Sequence, residues 1–484
     1  MNNHQGRSVT SRTTEPVRHR RIARRPFLKA VGAAVVVASA GGVGAAQAAD
    51  RRGAAADESA DALIIGAGYA GVTVARELSA RGLKPLILEA RNRTGGRIWT
   101  DTFSGEQVEI GGGWVGEQQV LVQRELTRYG ITTTPDIGPD RMLLPGDSGL
   151  ESMTPAEAVG ALSPLWTEFY RGSETYFERP YEPLHRKDLL ANVDGMSLAD
   201  RLRQLSLSPK EFHRLNSETS LYSGGPSSIG ALTGMAQWFQ LSGGDYESSL
   251  SMNQKPAGGM ISLLKAMLRE SGAQVRLQSA VTRITESRGV VTVEVSSGKR
   301  YTAPMVVVAT PTNVWKDITF QPGLPPAHAT ATRQGIGVPH SNKLWIHVQG
   351  RTEALFAQTP EGSPISMMLP QQQLADGRLM VAFAGPSLDA GDPAAVQEAV
   401  RELLPGSSLI RYRTMDWGRD RYARGGWGLR RPGQLLALFP QIEEPHGRIL
   451  FAGADIAQGW HGAYVEGAIE SGLRAARQAV ALVR

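Results

Sequence analysis

The chain has 484 residues, a formal net charge of +6 and no cysteine. A hydrophobic share of 41% with 20% charged residues is a globular composition, which excludes disorder, collagen and disulfide scaffolds. Without a thiol, the chemistry cannot use a cysteine nucleophile, a zinc ribbon, an iron–sulfur cluster or a cysteine-tethered cofactor.

The charge is confined to the first 48 residues. They hold eight basic side chains (Arg7, Arg12, Arg18, Arg20, Arg21, Arg24, Arg25, Lys29) and one acid, Glu15. Beyond them lie 44 of the 52 basic and 45 of the 46 acidic residues, a net of −1, so no case for nucleic acid as a partner survives. Arg24-Arg25-Pro26-Phe27-Leu28-Lys29 precedes an uncharged run from Ala30 to Ala49 that ends in Ala46-Gln47-Ala48. A basic start, an apolar centre and a small-residue cleavage site form an export leader, here of twin-arginine type. The expectation is cleavage after Ala48 with no stable membrane anchor, a retained span being the alternative, and a secreted or periplasmic enzyme exported with its cofactor bound.

After a small, polar linker at 49–60 the pattern becomes strand, turn, helix, strand: Ala62–Ile65, a Gly-rich turn, a helix over Ala70–Arg81, then Pro85–Glu89. Residues 151–250 read as mainly helical, with helix starts at Ser197/Asp200 and at Ser208-Pro209-Lys210-Glu211. Strands return at Val275–Leu277, Val281–Ile284, Val290–Val295 and Met305–Ala309. Residues 335–440 mix strands with loops. Ile449–Phe451 then leads into a helix from about Tyr464, with Val465, Ile469, Leu473, Ala476 and Val480 on one face. The fold class expected is α/β, with a Rossmann-like nucleotide-binding domain assembled from 61–150, 251–330 and 446–484. A mixed α+β substrate domain is inserted as 151–250 and 331–445.

Gly66-Ala67-Gly68-Tyr69-Ala70-Gly71 follows a strand and opens a helix. Gly66 permits the tight turn, Gly68 lets a pyrophosphate approach the backbone, and Gly71 lets helix pack on strand. Glu89 ends the next strand 18 residues after Gly71, where a carboxylate binds ribose hydroxyls and disfavours a 2′-phosphate. Further clusters follow at Arg91-Asn92-Arg93-Thr94-Gly95-Gly96-Arg97, Gly111-Gly112-Gly113-Trp114, Gly258-Gly259, Phe451-Ala452-Gly453-Ala454-Asp455 and Gly459-Trp460. Any one of these is an ordinary turn when taken alone. Spread over 400 residues, they suit an extended ligand such as FAD better than NAD.

Together these motifs resemble the flavin amine oxidase family (monoamine and polyamine oxidases, L-amino-acid oxidases), across essentially the whole chain after the leader. Arg179-Pro180-Tyr181-Glu182-Pro183, Ile449–Ala454 and Glu470–Ala475 look closest to exported bacterial nicotine-oxidoreductase-type enzymes. The resemblance implies that Gly66, Gly68, Gly71 and Glu89 bind the ADP half of FAD, with Arg91 and Arg97 near phosphate and ribityl groups. Ala70, Ala90, Gly96, Gly113, Trp114 and Ala454 fall in the same cofactor-binding segments. Val281 would meet the adenine through its backbone. Asp455 stands where the family commonly has Glu on the ribityl chain, and Val465 would face the flavin from a helix N-terminus.

Lys343, in Val338-Pro339-His340-Ser341-Asn342-Lys343, matches a lysine that holds a water near flavin N5. Periodicity alone leaves another reading open, with Leu344, Ile346 and Val348 inward and Lys343, Trp345 and His347 solvated. Trp427 and Tyr464 match the two aromatic positions of a cage before the flavin; core packing is the alternative for each. Two departures stand out. Gly428 occupies a place where many monoamine oxidases have Tyr, and His461-Gly462-Ala463 is one residue longer than in the nearest relatives. With no cysteine beside a cage residue, FAD is expected to be non-covalent. No metal is expected, since the nine histidines show no ligand spacing. No GxSxG elbow occurs either.

The function expected is amine oxidation, with hydride passing from the amine α-carbon to flavin N5 and oxygen or a cytochrome-like protein as acceptor. An L-amino-acid oxidase is the alternative, with Arg424, Arg430 or Arg431 clamping a carboxylate. Other classes are a nicotinamide-dependent dehydrogenase and a non-catalytic flavin-binding partner. The sequence leaves the amine and the oligomeric state open, a homodimer included.

Overall fold

A computed structural model describes residues 58–482; the expected leader and most of the linker lie outside the described residues. Five short strands form one parallel sheet in the order Gln274–Arg276, Pro85–Leu88, Ala62–Ile65, Val306–Val308 and Ile449–Phe451. The three inner strands are entirely buried, which is why they read as unbroken apolar runs rather than alternating ones. The flanking helices Tyr69–Ser79 and Val465–Ala481 lie against each other through small residues. A Cβ on Gly472 would stand 2.8 Å from the Ala70 carbonyl oxygen. Segments nearly 390 residues apart thus build one Rossmann-like α/β domain.

The last helix is covered more widely than one predicted face. Ile469, with Val465 and Leu473, packs on Tyr69, Val72 and Met260. Ala475, Ala479 and Val480 pack instead on Ile64, Val307 and Leu450 of the sheet. A five-stranded mixed sheet (Glu58–Ser59, Arg300–Ala303, Val290–Val295, Val281–Ser287, Thr319–Gln321) sits beside it.

The inserted region has a helical part and a seven-stranded sheet. Capping boxes start the helices Leu198–Gln204 and Pro209–Ser223 at the expected Ser197 and Ser208, and a third, at Thr154, starts Pro155–Phe169. Each such cap contributes about 1 kcal/mol. The sheet runs Leu409–Asp416, Asn342–Gln349, Gly377–Ala384, Ile365–Gln373, Leu355–Gln358, Arg141–Pro145, Leu150–Met153. Its last two strands form a hairpin that spans the expected boundary at residue 150.

Strand Asn342–Gln349 joins the two halves. Leu344, Ile346 and Val348 enter the core beneath helix Pro393–Leu403. The opposite face, read from periodicity as solvated, is buried as well. Trp345 donates its indole N–H to the Glu109 carbonyl (2.9 Å), Lys343 bonds the Gly111 carbonyl (2.8 Å), and His347 Nδ1 meets Ser104 Oγ (3.1 Å). Alternation cannot tell a solvated polar face from one docked by hydrogen bonds to another sheet. Among the described residues no helix is long and apolar enough to cross a membrane.

The turn between the first strand and helix rests on a very close backbone approach. A Cβ on Gly71 would lie 2.0 Å from the Gly66 carbonyl oxygen, and that oxygen belongs to backbone that cannot swing away. Gly71→Ala is expected to destabilise the holoenzyme by ~3 kcal/mol, read as a lowered unfolding temperature against wild type.

Candidate active site

A single large cavity of about 970 Å³ runs from the first βα turn to the helical part of the inserted domain. At one end Gly66, with φ +105°, turns the chain beneath the Ala309 carbonyl. Helix Tyr69–Ser79 starts at Gly68 with no side-chain cap, so its first N–H groups carry the positive end of the dipole toward the cavity. A Cβ on Gly68 would meet nothing nearer than the Gly95 carbonyl oxygen at 3.8 Å, an opening that backbone leaves for a ligand. Gly71 stands behind, in helix–strand packing.

Glu89 ends its strand at the same mouth. Its carboxylate accepts from Ala67 N and Arg91 N, each at 2.8 Å, which fixes its rotamer. A carboxylate has about four acceptor positions, so two remain for ribose hydroxyls. Ala70, Ala90, Gly96 and Val281 also line this part of the cavity. This donor and acceptor set fits the ADP half of FAD.

Both arginines expected near the cofactor line the cavity, each paired with an acid. Arg91 forks onto Asp420 (2.7 and 2.9 Å), a pair that fixes its guanidinium. Arg97 donates to Asp455 (2.7 Å) and to the Gly426 carbonyl (2.9 Å). Asp455, expected on the ribityl chain, is only 2% exposed and lies behind the lining. Its second oxygen takes Thr312 N (3.0 Å) and Thr312 Oγ1 (3.2 Å). Three protein donors thus hold the carboxylate, while Arg97, Ala454 and Val465 line the cavity.

Lys343 lies midway along the cavity with Gly113 and Trp114. Its Nζ bonds the Gly111 carbonyl and stands 4.5 Å from the Trp114 ring centre. Burial pushes its pKa down to about 7, against the attraction of nearby Glu109. Glu109 is itself pushed up by burial, opposed by its bonds from Met260 N and Thr100. The amine is therefore charged below about pH 7 and neutral above.

Trp427 and Tyr464 line the same cavity, joined by a chain of rings. Tyr222 lies 6.2 Å from Trp427 and 5.8 Å from Trp238, which stands edge-on to Tyr464 at 5.4 Å. Trp427 is oriented by its indole N–H bonding the Tyr222 carbonyl (2.8 Å). The two departures in sequence prove to be one feature. A Cβ on Gly462, whose φ is +68°, would lie 1.8 Å from the Gly428 carbonyl oxygen, and one on Gly428 would lie 2.9 Å from Gly462 Cα. The extra residue fills the space that a side chain at 428 would need, and the close backbone contact brings the two aromatic loops together.

Of the three arginines considered as carboxylate clamps, only Arg424 lines the cavity, and it is ion-paired to Asp317. Arg430 is fully buried on Gln237, and Arg431 bonds the Gly335 carbonyl (3.0 Å). Three acids went unnoticed in the sequence: Asp420 on Arg91, Asp136 on Trp114 Nε1 (2.6 Å), and Glu218 on the cavity wall. Each meets its partners through long-range folding, and no local motif marks it.

Two outcomes are expected. Gly462→Ala, strained by φ and blocked by the Gly428 carbonyl, should displace Tyr464 and raise the KM of any turned-over amine ~10-fold or more, checked by steady-state kinetics. Lys343→Met should slow flavin reoxidation by ~100-fold and abolish its pH dependence near 7, checked by stopped-flow absorbance. The depressed folded-state pKa has a second consequence. The unfolded chain binds the extra proton, so stability falls as pH drops from about 10 toward 7, and Lys343→Met removes that slope.

The family described as flavin containing amine oxidoreductase matches residues 69–480. Pseudooxynicotine dehydrogenase of a Pseudomonas species is 33% identical over 93% of this chain and 94% of its own length. Nicotine dehydrogenase of Pseudomonas putida is 32% identical, over 94% and 96%. Cyclohexylamine oxidase from Brevibacterium oxydans shares the fold at a TM-score of 0.72 and 22% identity, over 88% of this chain and 100% of its own. A backbone built for a dinucleotide, continuous with an aromatic pocket, and similarity along nearly the whole chain lead to one assignment: the chain belongs to the flavin-containing amine oxidoreductases, FAD-dependent enzymes.

Proposed function

We propose that this enzyme is exported and oxidises an uncharged amine held between Trp427 and Tyr464. One observation carries the reading: a single cavity joins Glu89, at the dinucleotide end, to Lys343 and the two aromatic rings. Gly66, Gly68, Glu89 and Val281 would hold the ADP half of FAD, and Arg97, Ala454 and Val465 its flavin half. When bound, FAD supplies the acceptor, at N5, for the hydride of the amine α C–H. The chain's own part is orientation and desolvation. Ring faces flank the nitrogen, the apolar wall excludes water, and the N-terminus of helix Val465–Ala481 favours negative charge beside it. Lys343, whose pKa burial pushes down to about 7, would hold a water in the cavity by hydrogen bond. The imine or iminium product leaves or is hydrolysed.

The alternative, an L-amino-acid oxidase, lacks support from its clamp: Arg430 and Arg431 do not line the cavity, and Arg424 is already paired. Oxygen and an electron-transfer protein both remain as acceptors in this proposal. A homodimer remains an expectation.

Anaerobic mixing with a panel of amines, nicotine and pseudooxynicotine among them, should bleach the flavin. An amine should reduce it faster than its α-carboxylated analogue. A panel that leaves the flavin yellow overturns amine oxidation, and a reversed preference favours the amino-acid reading. Re-mixing with oxygen and with a cytochrome then identifies the acceptor. Sequencing of the exported protein should start at Ala49; an intact Met1 overturns cleavage.

A further inference from the structure

The cavity is also lined by Trp166, Tyr170, Phe239 and Tyr246, from the helical part of the inserted region. Tyr170 stacks on Phe239 at 4.4 Å and on Trp166 at 5.5 Å, so the wall is rigid as well as aromatic. Glu218 lines the same cavity. It sits on helix Pro209–Ser223, one turn before Tyr222, whose carbonyl orients Trp427. Residues four apart share a helix face, about 6 Å from each other.

The nearest polar influence on Glu218 is the side-chain amide of Gln358, itself buried on the cavity wall, which favours the charged carboxylate. Among the described residues no lysine or arginine lies within ion-pair distance of it. Of the cations lining the cavity elsewhere, Arg91 is paired with Asp420, Arg97 with Asp455, Arg424 with Asp317 and Lys343 with the Gly111 carbonyl, while Arg421 lies over the Tyr422 ring at 4.7 Å. Burial pushes the Glu218 carboxyl up to about 7. Tyr170, Tyr222, Tyr246 and Tyr464 are raised too, by burial first and by the charge of Glu218 among the further causes. A buried carboxylate without a counter-charge costs several kcal/mol, which a ligand supplying the missing charge or proton recovers. Aromatic faces around it favour a cation further.

We propose that Glu218 is a specificity-determining residue that binds a second basic nitrogen of the substrate, several bonds from the amine being oxidised. This deepens the amine-oxidation reading and rests on it. An ammonium donates N–H···O to the carboxylate, and an uncharged ring nitrogen accepts O–H···N from the carboxyl. The sign of this charge also runs against an α-carboxylate substrate.

The test uses holoenzyme and matched amine pairs: α,ω-diamines of three to six methylenes against n-alkylamines of equal length, and pyridylalkylamines against phenylalkylamines. Anaerobic stopped-flow reduction separates the dissociation constant from the limiting rate. In wild type, the nitrogen-bearing member of at least one pair should bind ~10-fold more tightly or better, with little change in limiting rate. Glu218→Leu should reverse that order, weakening the nitrogen-bearing amine and tightening its carbon isostere. A merely structural loss would weaken both. Glu218→Gln, which keeps a hydrogen bond and loses the charge, should lie between. Equal binding within every pair in wild type, or an order unchanged in Glu218→Leu, overturns the proposal. If no amine bleaches the flavin, the amine-oxidation reading fails first and this inference with it; bleaching without preference removes the inference alone.

Discussion

The ion pair between Arg97 and Asp455 holds the active site together. Its atoms reach four separate stretches of chain: Arg97 from the turn after the second strand, Gly426 from the Trp427 loop, Thr312 after the fourth strand, and Asp455 after the fifth. At 2% exposure Asp455 has lost its water, so its two oxygens need every donor they receive. Breaking this pair would leave a buried charge uncompensated, at roughly 3–5 kcal/mol, and would loosen the Trp427 loop from the cofactor floor. The Asp here is a structural clasp, accepting from Arg97 and from Thr312.

From that clasp the site follows by close backbone contacts. Gly428 and Gly462 meet without side chains, which brings the Trp427 loop against the start of the last helix. Tyr464 then becomes the residue at which that helix begins, and the uncapped N-terminus faces the cavity. A cage built this way is held by rigid strands and a long helix, and its rings keep their spacing through Tyr222 and Trp238.

The two ends of the cavity were unequally legible in the sequence. Gly66, Gly68 and Glu89 act through local geometry, a turn and the next strand end, so their spacing alone located the dinucleotide end. The capping boxes at Ser197 and Ser208 were legible for the same reason, being contained within four residues. Lys343 was ambiguous because a docked polar face and a solvated one have the same alternation. Arg91, Asp455 and Glu218 were beyond reach, since their partners at 420, 97 and 358 are far along the chain.

By itself, then, the sequence determined the parallel-sheet strands, the glycine turn between the first strand and helix, the absence of any cysteine and the glycine-rich segments that recur along the chain. These depend on side-chain type and short spacing, which the backbone reads within a few residues. Only the tertiary structure decided which charges are spent on one another, which glycines touch, and which carboxylate is left facing the cavity. Burial and long-range pairing set those outcomes, because a charge in a low-dielectric interior is governed by whatever the fold places within a few ångströms of it.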